Sequence, residues 1–164
     1  MITNNENNGL KWDDYYSLEN EEIDKQHRGL FDLVNSLIIS CDEGKDTEKI
    51  KETLLFLVNY TLQHFNDEEA LQKECNYPEY ENHKKLHDDF KAVVVNLVQR
   101  FSQTGSSVDL SKDVKKIVIK WLVKHIMNED KKIGRHMKEI KQQPVVKKIC
   151  ALNFIEQEKE ELSA

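Results

Sequence analysis

Apolar residues recur at steps of three and four along four long stretches of the chain, the spacing of an amphipathic helix rather than the alternation of a strand. The first stretch runs from about Asn20 to Asp42 and carries Ile23, Leu30, Phe31, Val34, Leu37, Ile38 and Cys41, with Gly44 as its stop. The second opens at Asp46 and Thr47, both good caps, and continues through Ile50, Leu54, Leu57, Thr61, Phe65 and Leu71 to about Glu74. A turn over residues 75–78 follows, with Pro78 in the first turn of a third helix that carries Tyr80, Phe90, Val94, Leu97 and Phe101. Residues 103–107, around Gly105, read as a loop. The fourth helix is expected from near Ser111 to about Ile140, with Val114, Ile117, Val118, Trp121, Leu122 and Ile126 on its apolar side. Four such helices joined by short connections predict an all-α, up-down-up-down four-helix bundle over residues 20–141. Residues 1–19 form an N-terminal arm whose Trp12, Tyr15 and Tyr16 are suited to cover one end of the bundle. Beyond Pro144, Val145, Ile149 and Leu152 sit at helical spacing, so residues 142–164 are expected to hold a short C-terminal extra helix and an acidic tail.

Composition narrows the class further. With 5 Gly and 2 Pro in 164 residues, the chain has too few breakers for a sandwich or barrel, whose strands turn every ~8–12 residues. A net charge of −6 without a basic tract argues against nucleic acid as a partner. No apolar run approaches the length of a membrane span, and the polar start Met1–Asn8 lacks a signal-peptide layout. Cys41, Cys75 and Cys150 are scattered, with no CxxC pair. A cytoplasmic protein is the expectation. Hydrophobic residues make up 38% of the chain, a lean supply for a core, which makes six histidines conspicuous.

Extending the apolar stripes shows where five of the histidines lie. In the second helix the steps 50, 54, 57, 61, 64, 68 and 71 include His64 and Glu68; in the third, 80, 83, 87 and 90 include His83 and His87. His125 continues the stripe of Val114, Val118 and Trp121, and His27 lies between Ile23 and Phe31. A lone histidine on such a stripe is most often a hydrogen-bonded core residue. Five on four stripes, with pairs four apart that can aim at one point, indicate a metal centre, because burying so many imidazoles without strong partners is costly. A zinc hydrolase would place a glutamate after the first histidine of HExxH, where this chain has His83-Lys84-Lys85-Leu86-His87. No Cys-x-x-Cys-His is present for haem attachment, which leaves a non-covalent bis-histidine haem as the weaker alternative. Five imidazoles with one or two carboxylates suffice for two metals bridged by a carboxylate, and that donor set suits iron.

The second carboxylate is either Glu129 or Asp130. Glu129, four residues after His125, is the choice from periodicity; Asp130 is five residues on, about 500° of helix, and faces elsewhere in an ideal one. A one-residue π-bulge would bring Asp130 round, and such an irregularity is expected between His125 and Asp130.

At these residues the chain resembles the hemerythrins, most closely the single-domain bacterial ones. The matching text is Ile23-Asp24-Lys25-Gln26-His27 with Leu30-Phe31, His64-Phe65 with Glu68-Glu69, Tyr77-Pro78 with His83 and His87, and Trp121-Leu122 with His125-Ile126 and Asp130-Lys131. The ordered set covers about residues 12–137. The resemblance implies that His83, His87 and His125 hold one iron and His27 and His64 the other, with Glu68, Asp130 and an oxo or hydroxo group bridging them. It thereby selects Asp130. It also implies reversible binding of dioxygen at the iron with two histidines, in a dry pocket lined by Phe31, Phe65, Trp121, Leu122 and Ile126. The expected role is oxygen storage or delivery to an oxygen-consuming enzyme, without catalysis; the alternative is sensing of oxygen, nitric oxide or redox state. The segment after Pro144 is a candidate for self-association or partner docking. Two departures stand out: Glu19 replaces a common glycine before the first helix, which predicts a different turn of the arm, and Gln72 stands where an apolar residue is usual.

Overall fold

The computed structural model describes residues 9–142, and among these residues it is built from four long helices and no strand. Helix α1 spans Glu21–Asp42 with Asn20 as its cap, the Asn20 side chain accepting from the Ile23 N–H. Helix α2, Thr47–Glu74, is capped by Asp46, and α3 spans Tyr80–Thr104 and stops at Gly105, whose φ of 62° suits glycine. Helix α4 runs without a break over residues 107–142. It is α-helical at Ser107–Asp113, Ile119–His125 and Lys131–Gln142, with two π-helical turns between, Val114–Val118 and Ile126–Asp130.

Two sequence-based boundaries need correction. Helix α4 starts at Ser107 rather than near Ser111, because the Ser106 hydroxyl accepts from the Asp109 N–H and supplies an earlier cap. Pro78 lies in the turn before α3 rather than in its first turn: the Tyr80 N–H bonds to the Tyr77 carbonyl there and the helix begins at Tyr80. The C-terminal helix expected around Val145 to Leu152 lies outside the described residues.

Short connections make successive helices antiparallel, so the start of α1, the end of α2, the start of α3 and the second half of α4 share one end of the bundle. The opposite end is hydrocarbon: Leu37, Cys41, Ile50, Leu54, Leu97, Phe101, Leu110 and Val114 are all buried in one continuous cluster. Burial follows the predicted stripes with local shifts. Trp121 is half-buried while Leu122 is buried, and on α2 Gln72, not Leu71, takes the fully buried position four after Glu68.

The arm is fixed to the bundle by polar contacts. Asp24 accepts from the Ser17 hydroxyl (2.6 Å) and the Leu18 N–H (2.8 Å), and Asn35 exchanges two hydrogen bonds with the backbone of Leu10. Gly134 of α4 lets the arm approach closely, since a Cβ there would lie 2.7 Å from the Leu18 carbonyl oxygen. Glu19 adopts φ 59°, so the turn into α1 keeps the left-handed backbone that favours glycine, and its carboxylate pairs with Lys138.

Candidate metal centre

The seven residues singled out by spacing and resemblance meet in the buried centre of the arm-side end. Each of α1 to α4 contributes: His27 from α1, His64 and Glu68 from α2, His83 and His87 from α3, and His125 and Asp130 from α4. Donor atoms of Glu68, His83, His87 and His125 lie within 4.8 Å of one another, and so do those of His27, His64, Glu68 and Asp130.

In the first group three imidazoles face each other, with Nε2–Nε2 separations of 3.1 Å (His83–His87), 3.0 Å (His87–His125) and 3.2 Å (His125–His83). The carboxylates lie between this group and the second. Glu68 Oε1 is 2.9 Å from His83 Nε2 while Oε2 is 3.4 Å from His64 Nε2; Asp130 Oδ1 is 3.0 Å from His125 Nε2 while Oδ2 is 3.3 Å from His27 Nε2. Each carboxylate therefore turns one oxygen to each histidine group.

Asp130 reaches this position through the π-helical turn Ile126–Asp130, in which the Lys131 N–H bonds back to the Ile126 carbonyl, five residues earlier. The extra residue in the turn puts positions 125 and 130 on one face. Asp130 is fully buried, whereas Glu129 is half-buried and pairs with Lys132 at 2.7 Å. The bulge expected from sequence is present.

Hydrogen bonds from outside orient two of the rings. His64 Nδ1–H donates to Gln26 Oε1 (3.0 Å), and Gln26 is held in turn by Asp67 (2.8 Å). His87 Nδ1–H donates to Glu69 Oε1 (3.1 Å). In both rings the Nε2 lone pair is thereby turned to the interior, the arrangement a metal requires. Flat contacts fix the rings further: Phe65 stacks on His87 at 3.9 Å, Trp121 on His125 at 4.2 Å, and Phe90 on Trp121 at 3.8 Å.

Electrostatics hold His64, His83, His87 and Asp130 in their coordinating forms, and Glu68 in its protonated one. Burial and the neighbouring His27 hold His64 well below the ordinary histidine value; burial together with His125 and His83 takes His87 down to about 2; burial lowers His83. These imidazoles are neutral. Burial pushes Asp130 upward, but His125 and His27 outweigh it and its carboxyl lies well below the usual range. Burial and the charge of Asp130 push Glu68 up to about 8.

The donor set tests whether a metal pair fits. His27 Nδ1 and Nε2, Glu68 Oε2 and both Asp130 oxygens are buried without a hydrogen-bond partner, even though Asp130 lies within about 3 Å of imidazole nitrogens. Those approaches lack hydrogen-bond alignment, and nitrogen and oxygen atoms converge on shared interior points, an arrangement that cations would satisfy. Five imidazoles and two spanning carboxylates fit a di-iron site.

Three of the five expected pocket residues, Phe65, Trp121 and Leu122, line a cavity of about 10 Å³, together with Leu30, Val34, Leu57, Thr61, Phe90 and Val118. The Thr61 hydroxyl donates to the Leu57 carbonyl, so it is not free to donate into the cavity. Phe31 and Ile126 do not line it. Phe31 packs against Trp12 and Tyr16 of the arm, and Ile126 is fully buried in the core. The missed lining residues Leu30, Val34, Leu57, Thr61, Phe90 and Val118 lie on the predicted stripes, a signal that marks them as core without telling which border a void. Gln26, Glu69 and Gln72, which contact the cluster, were not assigned by spacing. His136 is outside the cluster and meets the Cys75 carbonyl at 3.0 Å.

Comparison with known proteins agrees with this geometry. The family described as Hemerythrin HHE cation binding domain matches residues 19–136. The chain is 35% identical over 121 residues to a bacteriohemerythrin of Pseudomonas paraeruginosa, covering 74% of this chain and 76% of that one. It is 31% identical over 120 residues to a myohemerythrin of Theromyzon tessulatum, covering 73% and 87%. A crystal structure of wild-type hemerythrin superposes with a TM-score of 0.70 at 29% identity, covering 77% of this chain and 95% of the other. The ordered ligand set, the bundle that assembles it and these matches together make the chain a member of the hemerythrin family, whose di-iron, oxygen-binding design its buried cluster fits.

Proposed function

We propose that this protein binds dioxygen reversibly and acts as a cytoplasmic oxygen store, or as a supply for oxygen-consuming enzymes, rather than as a catalyst. The observation that carries the reading is the pair of histidine groups spanned by Glu68 and Asp130. His83, His87 and His125 would hold one iron and His27 and His64 the other, so the second position has one protein ligand fewer and is where dioxygen enters. Bound iron supplies the electrons that dioxygen takes up and returns.

The chain's own residues do the rest. Gln26 and Glu69 fix the tautomers of His64 and His87, so the rings offer nitrogen lone pairs without rearranging. Phe65, Trp121 and Leu122 keep the neighbouring cavity apolar, and excluding water guards against side reactions.

Anaerobic reduction, admission of air and removal of air, followed in the oxo-bridge charge-transfer bands with iron counted per chain, test the proposal. Two irons and bands that cycle are expected. A spectrum that passes irreversibly to the ferric form would overturn the carrier role, and a chain that takes up no iron on anaerobic reconstitution would overturn the whole reading.

A further inference from the structure

Gln72 lies one turn beyond Glu68 on the core face of α2 and is fully buried. Its Nε2 donates to Glu68 Oε1 at 2.9 Å, while its own Oε1 has no partner among the described residues. The residue has little freedom to move: its backbone carbonyl accepts from the Tyr77 N–H at 2.8 Å as α2 ends. An amide buried with an unpaired carbonyl is a poor core filler, and an apolar side chain of the same size would avoid that cost.

The hydrogen bond is directional in a second sense. Glu68 Oε1 is the oxygen turned to His83 and the three-histidine group, whereas Oε2, turned to His64, receives no hydrogen bond. Neither oxygen of Asp130 receives one either. Among the two spanning carboxylates, one oxygen alone is thus hydrogen-bonded from outside the cluster, and it faces one side only.

Resting on the di-iron reading, we propose that Gln72 is a positioning residue that holds Glu68 and unbalances the two metal positions by drawing charge from Glu68 Oε1. A donor on a carboxylate oxygen withdraws electron density from it and weakens the oxygen as an anionic ligand. Less anionic charge at the three-histidine position favours iron(II) over iron(III). Gln72 therefore raises the reduction potential of that position and slows its loss of an electron.

The test uses the full-length, iron-loaded protein and two substitutions that remove the donor, Gln72→Met and Gln72→Leu. Iron is counted first, then the midpoint potential is measured by mediated titration and the two iron environments are compared by Mössbauer spectroscopy. The expected result is two irons per chain in each variant and a ferrous–ferric equilibrium displaced about tenfold toward ferric, a fall of about 59 mV for a one-electron couple. The Mössbauer parameters of one iron should change more than those of the other. Melting of the iron-depleted variants should change little, since the unpaired Gln72 carbonyl is lost while Glu68 Oε1 loses its donor. A midpoint that is unchanged or raised in both variants, with two irons bound, overturns the role of Gln72 and leaves the di-iron reading intact. A wild-type chain that binds fewer than two irons sinks that reading and this inference with it.

Discussion

At the end of the bundle where α1 finishes and α2 begins, Leu37, Cys41, Ile50, Leu54, Leu97, Phe101, Leu110 and Val114 fill the interior with hydrocarbon. At the other end the same four helices bury five histidines and two carboxylates, several of their atoms without hydrogen-bond partners. The first end is held by apolar burial, which needs nothing but the chain. The second combines desolvated imidazoles with a carboxylate pair whose members are pushed apart in pKa, and cations that satisfied the converging lone pairs would add cohesion there. One fold therefore contains a half filled by hydrocarbon alone and a half whose donor set fits a metal pair.

The largest effect that could break this contrast is metal removal. Iron at a hundredfold above its dissociation constant adds about 2.7 kcal/mol, and each kcal/mol moves the melting point of a chain this size by about 2–4 °C, so iron-depleted protein should melt on the order of 10 °C lower. Superimposable melting curves would refute the dependence. Within the same end, His64→Ala should halve the iron count, and Asp130→Asn should abolish the coupled pair and its charge-transfer bands.

At the hydrocarbon end the effects should separate the other way. Leu37, fully buried there, should cost about 2–5 kcal/mol on replacement by alanine, with iron stoichiometry and visible spectrum unaltered. A Leu37→Ala variant that lost iron before losing fold would show that the two ends are not independent.

A smaller effect sharpens the electrostatic side. In iron-depleted protein, His64, His83 and His87 stay neutral where unfolded histidine protonates near 6.5, so the stability they contribute is intact above that value and is lost as pH falls below it. Glu68 acts in the opposite sense: raised to about 8 from 4.5, it contributes fully at low pH and less as pH rises toward 8. Three histidines outweigh one carboxyl below pH 6.5, and the carboxyl acts alone above it. The melting point should therefore peak near pH 6.5, and a steady rise from pH 6 to 8 would contradict the assignment. The smallest effect is expected at Glu129→Gln, which removes the Lys132 pair, worth at most about 1 kcal/mol at a partly exposed site, and should leave both irons in place. Loss of iron in that variant would overturn the choice of Asp130.

Much of this was legible in the chain because burial imposes a period on sequence. The stripes of α1 to α3 and the pairs His64/Glu68 and His83/His87 follow from steps of three and four. Asp130 did not follow from period. Spacing alone favours Glu129, the resemblance selects Asp130, and the π-helical turn supplies the reason. Phe31 was expected in the pocket and packs under the arm, because a stripe records that a side chain is buried and not what it is buried against. Gln72 is the clearest case: four residues after Glu68 it takes the buried position that the stripe assigned to Leu71, and although that spacing puts it within reach of Glu68, only three dimensions show that the oxygen it bonds is the one turned to His83.

The sequence by itself determined the four helices and most of their buried stripes, since each is set by neighbours within one or two turns. Tertiary structure decided which carboxylate oxygen faces which histidine group, where the apolar void lies, and which histidine group the Gln72-bound oxygen of Glu68 is turned to. Those are relations between helices, and local periodicity carries no information about the partner across the bundle.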